Sequence, residues 1–543
     1  MFQRSQLPLH TEAKINQRIH LVNSQSLKKE MKGIVTESKQ SQSLTASAAR
    51  VLAAKSVSFA LSFALPLLLV RRLEQNEFGV YKQVFLLVDS AVMILPLGFY
   101  LTAFYFLPRE PKQQPQIIFN ILLFHVLVGA LAGIVLVTRP SLAVSILNAP
   151  DVARLAPLIG ITIFLWIASY FLETVAVAHQ ELRLAILFIV GSRLTKSGLL
   201  FAAALMTPTV EALIWAAAAQ GALQMLALIV YLRSRFGKFW QGFQWSIMRA
   251  QLSYALPLGA SAVILALFGT LNNYFVSHRF GSAAYAVYAV GCFTIPLIPL
   301  LSEAVGQVML PRISLLQKQQ RPRDILVLTA RMMRKLALVY LPIYALMLVL
   351  ARDFIVVLFT SQYAASWPIF AINLTLVPLG LVASAVDPVM RAYAEHRYYL
   401  LRVRLSLLVL MVGAVWVGLV LKGMLGAITA AVLVNFVERL VTARKVSEIL
   451  GVTRRDWGLA KDVGKIAIAA AVAGVVAFIL RGFLAGSGSI RVILACGATF
   501  SLVYLTGILL IGILEPDERD AIRSRLEWLL RRELHSRSPE RLG

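Results

Sequence analysis

Arg193 and Lys196 stand three residues apart inside a long apolar run, so on a helix they share one face. An ionisable residue near the centre of a bilayer costs at least about 2.5–3.5 kcal/mol on insertion scales and needs a partner or a function. Two adjacent cations call for an anion. It could be a phosphate or acidic sugar in a cavity, or Glu173 of the preceding run in a structural ion pair. Asp89 poses the same problem with the opposite sign, and Lys82, seven residues earlier on a similar face, is its nearest partner in sequence. Lys55 lies one to two turns inside the first run and can snorkel to an interface. Arg71, Arg72 and Lys82 flank the first short loop, as interface anchors or as cavity residues.

Neutral polar groups continue the pattern in the second half. Asn272 and Asn273 can bond sugar hydroxyls or a neighbouring helix. Glu303 and Gln307 sit one turn apart below a kink expected from Pro296 and Pro299. Asp387 and Arg391, spaced i, i+4, read as a self-satisfied helix pair, Glu438 and Arg439 as interfacial, and His125 as a core histidine. This is equipment for holding a polar, anionic group. No Gly-rich phosphate loop followed by Lys-Ser/Thr, no metal-ligand spacing and no nucleophile elbow is present, so neither catalysis nor a cofactor is expected.

The elements that position these residues are apolar. Of 543 residues 58% are hydrophobic and 15% charged, against about 45–50% and 25% in soluble proteins. That excludes a cytosolic enzyme, a DNA-binding domain and a disordered scaffold. The net charge of +26 therefore points to anionic membrane lipid as partner, with no nucleic acid. Cys292 and Cys496 lie in apolar runs and form no disulfide framework.

Windows of about 20 apolar residues predict an all-α integral membrane protein of about 14 transmembrane helices. Near residues 48–70, 81–107, 116–138, 155–178, 184–206 and 209–232 lies a first set of six. A second six follows at 252–277, 284–310, 335–358, 368–390, 403–421 and 423–443, and two more lie at 465–485 and 490–514. The expected organisation is a polar tail over 1–47, a first lobe over 48–232, a linker over 233–250 and a second lobe over 251–445. A final helix pair over 446–514 and an amphipathic tail over 515–543 complete it. Alternate loops hold about 39 and about nine basic residues, which by the positive-inside rule puts both termini in the cytoplasm and turns the loops near 139–154 and 352–367 outward. Residues 1–49 lack the apolar core of a secretory signal and read as a cytoplasmic tail. Within Pro516–Leu534, Ile522, Leu526, Leu529 and Leu530 share a face, as in an interfacial helix.

An internal repeat orders the spans. Offset by 207 residues, 71–82 aligns with 278–289 without a gap: Arg72 meets Arg279, Leu73 Phe280, Phe78 Tyr285, Val80 Val287 and Tyr81 Tyr288. Each copy follows the first span of a six-span set, so two parallel six-helix lobes are expected around a central cavity.

Residues carrying a family resemblance are Arg72-Leu73 through Phe78-Gly79-Val80-Tyr81, Tyr254-Ala255-Leu256-Pro257-Leu258, Ala286-Val287-Tyr288, Leu310-Pro311, and Phe359 to Tyr363 followed by Ala364-Ala365. With the 6 + 6 + 2 plan, about residues 45–445 resemble the polysaccharide transporter branch of the multidrug/oligosaccharidyl-lipid/polysaccharide exporter superfamily, the O-antigen and exopolysaccharide flippases. The resemblance implies a non-enzymatic transporter in the bacterial cytoplasmic membrane that moves undecaprenyl-diphosphate-linked oligosaccharide. It also implies polysaccharide polymerase and chain-length proteins as partners. Two positions depart from the family: Glu74, where glycine is common, and Asn272-Asn273, where an acidic-basic pair is common. The second argues against carboxylate-based ion coupling through that helix. A multidrug/cation antiporter of the related branch would want an acidic, aromatic site, whereas the intramembrane charge here leans basic. A membrane glycan ligase or polymerase would want a large external loop.

Overall fold

The computed structural model describes residues 60–512 except 62 and 485. Lys55, the N-terminal tail and the C-terminal amphipathic segment lie outside the described residues. Every regular element is helical: α1 (residues 63–72), α2 (Gln75–Ile94), α3 (Thr102–Phe106), α4 (Gln114–Thr138), α5 (Pro140–Leu147), α6 (Val152–Ser169), α7 (Leu172–Ala178), α8 (Leu182–Met206) and α9 (Val210–Phe236) form the first half. α10 (Trp245–Gly291), α11 (Leu297–Lys318), α12 (Pro322–Phe359), α13 (Trp367–Asn373), α14 (Leu376–Ala392), α15 (Arg397–Leu450), α16 (Lys461–Phe483) and α17 (Ser489–Ile511) form the second. Among the described residues, ten helices are long and apolar enough to cross a membrane, or eleven if the bent α2–α3 pair counts as one span. The chain is thus a multi-pass helical membrane protein. Large apolar side chains such as Met206, Phe483 and Leu510 point outward, as hydrocarbon rather than water requires.

Two of the long helices turn back on themselves. In α10, Gly281 breaks the helix at φ 74°, and Asn272 Nδ2 then donates to Tyr288 Oη at 2.8 Å. Sixteen residues of unbroken helix would hold those groups roughly 24 Å apart, so the chain has reversed. In α15 the break falls at Lys422 and Gly423 (φ 58°), and Gly418 and Gly426 pack so closely that a Cβ on either would overlap the other's carbonyl. Glycine supplies the left-handed turn in both cases.

Other spans break without reversing. Pro96 removes a backbone donor, and Leu97 and Gly98 follow at φ 49° and 65°, bending the α2–α3 pair by 42°. Residues 292–296 interrupt the path from α10 into α11, ending at Pro296. The α2–α3 and α10–α11 paths are therefore both broken. The second span starts earlier than hydropathy alone suggests, because Glu74 and Glu77 form a capping box on α2, with Glu74 N donating to Glu77 Oε2 at 3.2 Å. That gives Glu74 a task a glycine could not perform. The expected loop 139–154 contains α5, started by Pro140 and stopped by Asn148 in the left-handed region (φ 51°).

α2 and α10 run antiparallel as the main contact between the halves. At one rim Gly79 lies against the Ser282 backbone, and far along the pair Gly259 lies against Leu97, with no room for a Cβ at either glycine. The first rim is closed further by Gln75 Nε2 donating to Ala283 O (3.1 Å) and by buried Gln83 donating to Ser277 Oγ (2.8 Å) and Leu147 O (2.9 Å). The opposite rim gathers Arg109, Lys112, Arg183, Arg233, Arg235, Lys238 and Arg249.

Candidate functional site

Between the halves lies a cavity of about 460 Å³, bounded by α1, α2, α8 and α10. Pro66 of α1, Lys82, Phe85 and Asp89 of α2, Lys196 and Ser197 of α8, and Asn273, Tyr285 and Ala289 of α10 line it, with Cys292 at the break beyond. The repeat explains the layout. At the offset of 207, Pro66 corresponds to Asn273, Lys82 to Ala289 and Phe85 to Cys292, and all six line the cavity. Three pairs of positions at that offset thus share one cavity.

Charge sits on one side only. Lys196 Nζ lies 3.8 Å from Asp89 Oδ1 and 4.0 Å from the centroid of the Trp166 ring. Trp166 is itself fixed by donating Nε1–H to Ala217 O at 2.9 Å, so the ammonium sits on a rigid aromatic face. Lys82 Nζ lies 5.5 Å from the Phe78 ring centroid and 5.9 Å from that of Tyr81, within electrostatic reach of Asp89. One carboxylate shared by two ammonium groups leaves the ionised cluster net positive. Asp89 and Lys196 side chains keep 61% and 39% of their exposure, so both groups address open space. On the facing wall Tyr285 Oη donates to Asn273 Oδ1 (3.4 Å), and Asn273 Nδ2 donates to Asn272 Oδ1 (3.4 Å).

The remaining residues singled out from sequence divide among other places. Arg193, one turn from Lys196, lies within electrostatic reach of Glu173, which Ser192 also hydrogen-bonds, in place of the Asp89 cluster. Arg71 lies at the closed rim and donates to Leu358 O (2.8 Å) and Val357 O (2.9 Å) at the end of α12, bridging α1 to the second half. Glu303 lines a second cavity of about 510 Å³ between α11 and α14, with Gln307 Nε2 donating to Glu303 Oε1 at 3.2 Å. His125 is a core residue, its Nδ1 2.8 Å from Ile121 O among Phe99, Phe124 and Phe171.

Two expectations change. Asp387 pairs across helices with Arg439 at 3.1 Å rather than with Arg391. Glu438 and Arg439 are drawn into the protein: Glu438 is buried and bridges Arg439 (3.1 Å) and Arg404 (3.2 Å). Two arginines and two carboxylates neutralise one another in the second half, the condition under which such charges are tolerated inside a membrane protein. This network and the Trp166 platform were not foreseen. Their only sequence signal was the depth of Glu438 and Arg439 within an apolar run. Among the described residues no group of three His, Cys, Asp or Glu side chains could hold a metal ion.

The fold resembles those of several solved membrane proteins. The lipid II flippase MurJ, in an inward closed conformation, is similar at a TM-score of 0.63 and 13% identity, over 87% of this chain and 99% of that one. An inward-facing multidrug resistance MATE family transporter of the MOP superfamily is similar at 0.57 and 13%, over 74% and 96%. A MOP superfamily transporter from Pyrococcus furiosus, described by the reverse polarity of its binding pocket, is similar at 0.51 and 15%, over 74% and 95%. No curated protein matches the chain. The profile of the polysaccharide biosynthesis protein family matches residues 68–368, more than half of the sequence, and the chain belongs to that family.

Proposed function

We propose that this protein is a flippase that carries undecaprenyl-diphosphate-linked oligosaccharide across the bacterial cytoplasmic membrane by alternating access. The observation that carries the reading is the net-positive Lys82–Asp89–Lys196 cluster in a cavity between two repeat-related halves. A glycan diphosphate cannot cross hydrocarbon unaided. A cavity offering two ammonium groups and polar amides replaces water for the head group, while the prenyl chain stays in lipid. In this reading Lys82 and Lys196 hold the diphosphate, with Arg193 a turn away beside Glu173. Asp89 and Glu173 balance the cations until substrate arrives, and Asn272 and Asn273 bond sugar hydroxyls. Arg71 holds the outer rim closed.

The same reading counts fourteen spans, the eleven of the described residues with one more from each reversal in α10 and α15 and one that ends in α1, and groups them as six, six and two. The rim rich in arginine and lysine is then cytoplasmic. Cysteine at exposed Ser141 should react with an impermeant reagent in intact cells, and cysteine at Ser234 should not. The opposite pattern inverts the topology.

Export is the decisive test. Lys82→Ala with Lys196→Ala should abolish surface glycan while the protein still accumulates in the membrane, and lipid-linked oligosaccharide should build up in the inner leaflet. Unchanged export refutes the assigned site. An antiporter of cationic drugs is disfavoured by the excess of cations in the cavity, and would show itself as drug resistance lost on Asp89→Asn with export intact.

A further inference from the structure

The second cavity differs in chemistry from the first. Along the chain it begins at Ser302, ten residues past Cys292 and beyond the 292–296 interruption. Its walls carry a hydroxyl chain: Ser384 Oγ donates to Ser302 Oγ at 2.9 Å, and Ser302 Oγ lies 2.7 Å from Tyr340 Oη. Glu303 and Gln307 add a carboxylate and an amide held to each other, and Asp387 is already matched by Arg439. Arg391 completes a lining in which acid and base nearly cancel.

Such a lining is poor for a diphosphate, which Glu303 would repel, and apt for hydroxyls, which need donors and acceptors in alternation. Gly306 sits in this wall, and a Cβ there would meet nothing within 4 Å. The residue 207 positions earlier, Phe99, is buried and stacked on Phe124 at 4.2 Å. The second half keeps open a space at a position where the first half places a ring.

We propose that the cavity between α11 and α14 is the subsite for the oligosaccharide part of the substrate, separate from the cationic site for its diphosphate. The assignment rests on the flippase reading above. Substrate then lies along the broken span, with its phosphates at Lys82 and Lys196, its first sugar at Asn272 and Asn273, and its further sugars past the 292–296 interruption. Because the cavity's charges nearly cancel, it suits neutral hydroxyl-rich sugars better than strongly acidic ones.

Photocrosslinking in the producing cells tests this, with p-benzoylphenylalanine at Gly306 in one strain and at Asn273 in another, and with mass spectrometry of the adducts. The expected result is a sugar-bearing lipid-linked adduct at both positions. A glycan-lipid adduct at Asn273 with phospholipid or no adduct at Gly306 overturns the subsite and leaves the flippase reading standing. No prenyl-diphosphate adduct at either position overturns both. A second variant, Gly306→Trp, fills the cavity without a clash at Cβ. In purified protein it should keep binding of undecaprenyl diphosphate within about twofold of the unmodified chain, while export in cells falls at least tenfold. Equal loss of both, or of neither, overturns the assignment.

Discussion

Three pairs of positions at the 207-residue offset help to form the two walls of the central cavity, yet the walls carry different chemistry. On the first half stand Lys82, Asp89 and Lys196; on the second stand Ala289, Asn273 and Cys292. Second-half charge has instead been drawn into the closed network of Arg404, Glu438, Arg439 and Asp387. The symmetry therefore serves the shape of the cavity and not its affinity. Under the proposed function, one half grips the head group and the other supplies neutral hydrogen bonds along which it can lie. A symmetric pair of cationic walls would repel each other across a space with little water to screen them, and would hold an anion too firmly to release it.

Motion between the walls gives the largest expected effect. Gln75 and Ala283 face each other at the closed rim. Cysteines at both, with Cys292 and Cys496 changed to alanine, should stop export on oxidation and restore it on reduction, with the crosslink confirmed by gel shift. Full export from the crosslinked protein means that the halves need not part there. Next in size is removal of the grip. Hydrogen bonds to charged groups are worth roughly 1.5–3 kcal/mol each, so Lys196→Ala should weaken binding of undecaprenyl diphosphate in detergent about tenfold to a hundredfold. Loss of less than twofold would make the asymmetry of the walls irrelevant to binding.

These residues show what a sequence discloses and what it hides. Spans were legible because hydrocarbon demands long apolar runs, and the second-half turn at Gly281 fell between two expected spans. The two stretches matched at the offset of 207 fall where α2 starts and where α10 resumes after Gly281. Pairings were not legible. Asp89 looked to Lys82, seven residues away, whereas its close partner is Lys196, 107 positions on. Asp387 looked to Arg391, whereas Arg439 holds it. Spacing along one helix reveals neighbours on that helix alone. Partners that meet only when α2 packs near α8, or α14 against α15, leave no periodic trace. Glu74 was conspicuous as a departure, but its purpose, capping α2, appears only with the helix in place.

A swap sharpens the comparison at a smaller scale. Moving a cation to the equivalent wall, Lys82→Ala with Ala289→Lys, keeps the cavity's charge and changes only which half carries it. Export should stay near that of Lys82→Ala alone. Recovery to the unmodified level would mean that total charge, and not its placement, is what the cavity needs. The smallest effect belongs to the neutral wall: Asn273→Ala removes hydrogen bonds worth about 1 kcal/mol. About a fivefold loss of export is expected, read in the same assay, and abolition would give the second half a larger share of the grip.

Lys196 resting on Trp166 makes the cavity optically readable. An indole's emission responds to the charge over its face, and this indole is fixed in place by Ala217 O. Phosphate that draws the ammonium toward itself must change that emission. The chain holds eight tryptophans, so the signal is the difference between the unmodified protein and Trp166→Phe. Occupancy of the grip could then be timed during a transport cycle without attaching any label.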